Sequence, residues 1–198
     1  MNLTLTNLTK QYGSFTALQN FNYEFTAGVY GLLGPNGAGK STLMNIITDN
    51  LKPTSGSVRF DGVETRKMDA DFRKILGFMP QQQGIYPNFT LERFLYYMAA
   101  LKGMKKADAK PQIEKLINLV NLQDSRNKRL GGFSGGMKQR ALIAQAMLGE
   151  PKVIILDEPT AGLDPKERIR IRNLVAQIAF DKIVIIATHV VSDIEFIA

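Results

Sequence analysis

The alternation of apolar and polar positions divides the chain into short β-type runs and helical repeats. Runs rich in branched and aromatic residues occur at Asn2–Leu8, Val29–Leu33, Ser57–Phe60, Ile75–Met79, Val153–Leu156 and Ile183–Ala187, bounded by Gly, Pro, Asn and Asp clusters. The last two are almost wholly apolar, as strands covered on both faces of a parallel sheet are. Between these β-rich portions, Leu91, Phe94, Leu95, Met98 and Leu101 keep i, i+3, i+4, i+7 spacing. Ile113, Leu116, Ile117 and Val120 repeat that spacing after Pro111. The pattern predicts an α/β protein whose core spans 1–88 and 131–198, with a helical subdomain inserted at 89–130.

Composition narrows the classes. A chain of 198 residues with 44% hydrophobic and 22% charged positions can bury one sizeable core. It contains no cysteine, which excludes a disulfide framework, thiolate chemistry and cysteine-bound zinc, and agrees with a reducing, cytoplasmic setting. No run of about 18 apolar residues is present, and Met1 to Lys10 lacks the layout of a secretory signal, so a membrane role has to come through a partner. The net charge of +7 suits polyanionic partners, although the basic residues are dispersed as on an ordinary solvated surface.

Three motifs carry chemistry. Gly34-Pro35-Asn36-Gly37-Ala38-Gly39-Lys40-Ser41 fits GxxxxGK[ST], follows an apolar run and precedes a helical segment from Thr42 through Leu43, Ile46 and Ile47. Glycines there let backbone amides at a helix N-terminus wrap phosphates, with Lys40 on the β and γ phosphates and the Ser41 hydroxyl on Mg²⁺. Val153-Ile154-Ile155-Leu156 ends in Asp157 and Glu158, which delivers two carboxylates to the strand end where open α/β sheets bind ligands. Asp157 is the candidate Mg²⁺ ligand and Glu158 the candidate general base. Leu130-Gly131-Gly132-Phe133-Ser134-Gly135-Gly136-Met137 is a glycine turn opening a helix through Ile143, Ala144 and Met147; Ser134 can cap it or, with the free amides, bind an anion.

These motifs, followed by Asp-Glu-Pro-Thr-Ala-Gly-Leu-Asp at 157–164 and by Thr188-His189 after a strand, resemble the nucleotide-binding domain of an ATP-binding cassette (ABC) transporter. The resemblance implies a P-loop NTPase core with a mostly parallel sheet, an N-terminal antiparallel β portion and the inserted helical subdomain. It implies an adenine-stacking role for Tyr12, with Phe15 as the nearby competitor. Gln81 is implied to touch Mg²⁺ and the attacking water, although Gln82 and Gln83 follow at once. Ser134, Gly135 and Gly136 correspond to the signature loop, which reaches the γ-phosphate held by the opposite subunit. Asp164 corresponds to a loop communicating across that interface, and His189 to a histidine that contacts the γ-phosphate.

The function implied is an ATP-binding and ATP-hydrolysing subunit that uses Mg²⁺, pairs with a second nucleotide-binding domain as homodimer or heterodimer, and drives separate transmembrane permease subunits. Such a protein sits in the cytoplasm, peripheral to the inner membrane face. Tyr86, Phe89, Phe94 and Tyr97 are candidates to line the groove for the membrane partner, with core packing expected for at least half of them. Phe133 and Met137 depart from the usual Leu and Gln of the signature, and Met137-Lys138-Gln139-Arg140 looks more like exporters of drugs, peptides or antibiotics than nutrient importers. Family members continue beyond the histidine loop, so the end at Ala198 suggests a truncated form or fragment with an exposed sheet edge. The rival reading is a cassette ATPase acting on nucleic acid or ribosomes; no long coiled coil, second cassette or aromatic-basic patch supports it, and no nucleic-acid partner is expected. A regulatory module without turnover is a third option, although Lys40, Asp157, Glu158 and His189 are all present.

Overall fold

The computed structural model describes residues 1–35, 37–81 and 84–195. Two four-stranded sheets organise the chain. The first is antiparallel, in the order β2-β1-β4-β5, and is built from β1 (Leu3–Tyr12), β2 (Phe15–Phe25), β4 (Ser55–Phe60) and β5 (Val63–Glu64). The second is parallel, in the order β3-β8-β7-β6, from β3 (Gly28–Leu33), β8 (Ile183–Thr188), β7 (Val153–Asp157) and β6 (Leu76–Met79). Every residue of β7 and β8 is buried, which is why both read as continuous apolar runs.

Alternation along those two central strands divides the interior into two cores. Val153, Ile155, Ile183, Ile185 and Ala187 pack toward the antiparallel sheet and α1 (Lys40–Ile47), joining Leu3, Leu5, Leu8, Phe25 and Val58. Ile154, Leu156, Val184 and Ile186 point the other way, against α6 (Gly135–Ala146), α7 (Pro165–Ile178) and the helical portion. Each fully buried Ile or Val contributes roughly 2 kcal/mol, so the central strands anchor both layers at once.

The helical portion comprises α4 (Leu91–Leu101) and α5 (Lys106–Leu119). Thr90 caps α4 by accepting from the Arg93 amide at 3.2 Å. Arg126 ties the two helices together through Glu92 Oε1 at 2.7 Å and Glu114 Oε2 at 2.9 Å. Pro111 lies inside α5 rather than at its start, because the helix begins five residues earlier at Lys106, and it leaves the Ala107 carbonyl without the usual i→i−4 donor. Of the four aromatics that are candidates to line a groove, at least half of them expected in the core, only Phe94 is buried, i+3 from the buried Leu91 on the stripe that Leu95 continues at i+4. Tyr86 and Tyr97 are exposed, and Phe89 stacks on Tyr86 with ring centroids 5.0 Å apart.

Three further features fall outside the expected elements: the strand β2, the short turns α2 (Thr65–Met68) and α3 (Ala70–Ile75), and the long helix α7. β2 exposes most of its side chains, so it carries no apolar alternation. In α7 the buried Ile171, Leu174, Val175 and Ile178 do keep helical spacing, but Lys166, Arg168, Arg170 and Arg172 surround them.

Candidate functional site

Parallel pairing brings the C-terminal ends of β3, β7 and β8 side by side, so the turns that follow them converge. The turn after β3 enters α1 through Gly39, at the N-cap position with φ 85°. A Cβ on Gly39 would lie 2.6 Å from the Ala17 carbonyl oxygen, so both the left-handed backbone and the close approach of β2 require glycine there. Lys40 opens α1 and donates from Nζ to the carbonyls of Gly34 and Pro35, the latter at 3.0 Å. Its ammonium is thereby held over the loop, in front of the free amides of the helix terminus.

These elements enclose a cleft of about 400 Å³ lined by Tyr12, Phe15, Ala17, Gly37 through Thr42, Gln81, Asp157 and Glu158. The expected site residues that meet here are therefore Tyr12, Gly37, Ala38, Gly39, Lys40, Ser41, Thr42, Gln81, Asp157 and Glu158. Gly34 and Pro35 reach the cleft through Lys40. Asn36 lies outside the described residues, as do Gln82 and Gln83, the alternatives to Gln81.

The two carboxylates occupy different surroundings. Burial, and next the charge of Glu158, push the Asp157 carboxyl above its ordinary value, against the backbone hydrogen bond from Gln81 and the charge of Lys40. Glu158 takes a left-handed backbone, φ 50°, where its amide donates to the Ala187 carbonyl on β8 at 2.8 Å. Such a conformation is uncommon for a non-glycine residue and concentrates at working sites. Its side chain is buried, and His189 Nδ1 lies 2.8 Å from its Oε1. Glu158 Oε2 is buried with no hydrogen-bond partner among the described residues.

Ser134, Gly135, Gly136 and Asp164 stand apart from this cleft. Ser134 caps α6 by accepting from the Met137 amide at 3.3 Å, and Asp164 caps α7 by accepting from the Glu167 amide at 2.9 Å. The two caps are neighbours: a Cβ on Gly135 would lie 3.5 Å from Leu163 Cδ2, and one on Gly136 would lie 2.4 Å from Glu167 Oε2. Gly136 thus leaves room for the Glu167 side chain where α6 meets α7.

The N-terminal hairpin supplies more of the cleft than the motifs indicate. Tyr12 pairs with Phe15 across the two-residue turn Gly13-Ser14, which puts both aromatics and then Ala17 at the cleft wall. A Gly-containing two-residue spacer between β-formers is the signal that marks such a hairpin. Lys10 Nζ sits 5.1 Å from the Tyr12 ring centroid, on a ring that remains half exposed.

This α/β core with a glycine loop, lysine and strand-end carboxylates is a P-loop NTPase fold. A family model described as "ABC transporter" matches residues 18–161, and the chain belongs to that family. It is 36% identical over 194 residues, 98% of its length, to the uncharacterized ABC transporter ATP-binding protein YxlF of Bacillus subtilis, and spans 64% of that protein. It is 37% identical over 193 residues to the bacitracin transport ATP-binding protein BcrA of Bacillus licheniformis, 96% of this chain and 62% of that one. Among solved structures it resembles the dimeric ABC transporter cassette MJ0796, with a TM-score of 0.85 and 30% identity over 98% of this chain and 91% of the other. The same cassette bound to ADP and Pi matches at 28% identity.

Proposed function

We propose that the chain is the ATP-binding and ATP-hydrolysing subunit of an ABC transporter, and that it works as one of a pair of nucleotide-binding domains beneath separate transmembrane permease subunits. The observation that carries the reading is the separation of two groups of site residues: the Lys40 and Glu158 cleft on one side, and the helix N-termini capped by Ser134 and Asp164 outside it. A cleft with only one of the two is half of a composite site, and a second copy supplies the other half.

ATP enters with its adenine on the face of Tyr12 and its phosphates over Gly37 to Thr42. Lys40 exchanges its bonds to the loop carbonyls for phosphate oxygens, and Glu158, steadied by His189, accepts a hydrogen bond from the attacking water. Ser41 and Asp157 would hold Mg²⁺, with Gln81 beside them. The residues fit a hard cation: Asp157 is a buried carboxyl whose ionised form a cation would favour, and no group of three or more His, Cys, Asp or Glu side chains among the described residues is arranged to hold a metal by itself. That is the donor set of a cation held partly by substrate phosphates rather than by a protein cage. The metal supplies charge neutralisation across the phosphates. Positioning and electrostatics carry the rest of the catalysis.

Export of a drug, peptide or antibiotic is the proposed direction, supported by the relatives named for bacitracin and linearmycin and by Met137-Lys138-Gln139-Arg140. No described helix is long and apolar enough to cross a membrane, so attachment to the cytoplasmic membrane face runs through the permease. Ser134→Arg tests the composite-site reading. It is expected to block ATP-dependent pairing while leaving nucleotide affinity of the single copy within about twofold. Joint loss of pairing and affinity would reduce Ser134 to a helix cap.

A further inference from the structure

The turn after β7 and the segment after β8 are joined by a second buried contact, two residues beyond Glu158 on one side and four beyond His189 on the other. Thr160 Oγ1 donates to Asp193 Oδ2, and both side chains are only 3% exposed. The second oxygen, Asp193 Oδ1, is buried with no hydrogen-bond partner among the described residues. A carboxyl group in that state is costly, since an unmade hydrogen bond forfeits hydration without replacement. A buried polar group retained at such expense calls for an explanation in geometry or chemistry.

Its place in the fold supplies one. The segment leaving β8 is held to the β7 turn at the Glu158 amide, at the Glu158 to His189 contact, and at the Thr160 to Asp193 bond. Arg172 of α7 adds a bond from Nη1 to the Ser192 carbonyl at 2.8 Å, which pins the residue next to Asp193. His189 itself is largely exposed, with 58% of its side chain open, so its own packing does not fix where the ring sits. Beyond the His189 contact, side-chain bonds hold its segment to other elements at Ser192, through Arg172, and at Asp193, where the bond is buried.

We propose that Thr160 and Asp193 form a positioning pair that holds the His189 segment in register with the β7 turn, and so keeps the imidazole against Glu158 in the hydrolytic arrangement. The proposal rests on the reading of Glu158 and His189 as the reacting pair. Neither Thr160 nor Asp193 lines the cleft, so they act through that pair and leave nucleotide binding alone. Because two rungs share one segment, loss of the buried rung frees the exposed one to sample other positions, and turnover suffers in proportion to the time spent misplaced.

The test uses Thr160→Val, which keeps shape and removes the hydroxyl, with Thr160→Ser as rescue and Asp193→Asn as the partner change. In the complete protein, Thr160→Val is expected to lower kcat for ATP about tenfold or more, with nucleotide affinity within about twofold. Thr160→Ser restores kcat to within about twofold, and the double variant Thr160→Val/Asp193→Asn is no slower than the worse single one. An activity-independent reading comes from the sole histidine of the chain. In NMR spectra, its ring resonances in Thr160→Val are expected to move toward those of Glu158→Ala, which removes the other rung directly. Unchanged kcat in Thr160→Val, or ring resonances that stay at their wild-type positions, overturns the proposal. If the wild-type protein does not hydrolyse ATP, the functional reading fails instead, and the ring resonances still decide whether the pair positions His189. Should Thr160→Val not fold, the same two readings on Asp193→Asn carry the decision.

Discussion

The two sheets contrast in burial and in what they contribute to chemistry. β7 and β8 of the parallel sheet are sealed on both faces, with every residue buried, whereas β2 of the antiparallel sheet exposes most of its side chains. The parallel strands deliver Asp157, Glu158 and the His189 segment at their C-terminal ends, and β3 feeds the glycine loop. The antiparallel sheet adds the aromatics at the Tyr12–Phe15 hairpin and Ala17 behind Gly39. The buried β7 sets the backbone that carries Asp157 and Glu158, and the exposed β2 hairpin offers a wall against which a base can lie. Precision and adaptability are thus assigned to different layers of one fold.

Stability divides the sheets most sharply. Ile155→Ala in β7 opens a cavity in the core that the parallel strands share with the antiparallel sheet and is expected to cost about 3 to 4 kcal/mol in denaturant unfolding. Tyr23→Ala on β2, a half-exposed ring opposite Leu5, removes an aromatic neighbour of Phe25, 4.6 Å between centroids, and should cost about 1 kcal/mol. Equal losses would erase the distinction. Ligand binding divides them next: Lys40→Ala should weaken ATP at least about a hundredfold by stripping a charge from the phosphates, and Tyr12→Ala only about fivefold, the worth of one stacking face. A Tyr12 effect as large as that of Lys40 would make the hairpin a primary binding element.

A pH effect concerns Lys102, a largely buried charge beside the parallel sheet. Lys102 donates to the carbonyls of Leu76 on β6 at 3.0 Å and Leu148 after α6 at 2.6 Å, and burial pushes its ammonium down to about 8. A lysine that loses its proton more readily when folded holds fewer protons than the unfolded chain above that pH. Stability should therefore rise between about pH 8 and 10, where the burial penalty is relieved, by on the order of 2 kcal/mol relative to Lys102→Met. Parallel pH profiles for the two proteins would show that Lys102 is solvated.

The central chemistry was legible because it depends on local order. Gly34 through Ser41 between a strand and a helix, and four apolar residues ending in Asp157-Glu158, each carry their context within a dozen residues. The buried strands were legible for the same reason that they are stable, since two covered faces leave no polar alternation. β2 was not, because a strand wet on most of its length lacks the period-2 signal, although Gly13-Ser14 and Asp61-Gly62 mark the turns that create β2 and β5. α7 hid its Ile171, Leu174, Val175 and Ile178 stripe among arginines, while Asp164-Pro165 announced its start. Contacts between distant segments were beyond local reading: nothing near Thr160 points to Asp193, 33 residues away.

The central claim is that each cleft is half a site. It is tested most directly by the solution mass of Glu158→Gln with and without Mg-ATP, because loss of the general base slows turnover by about a hundredfold and leaves ATP in place. The account predicts a shift from single copies to pairs when Mg-ATP is added and a return when it is withdrawn. A Glu158→Gln protein that binds ATP and remains a single copy would contradict it.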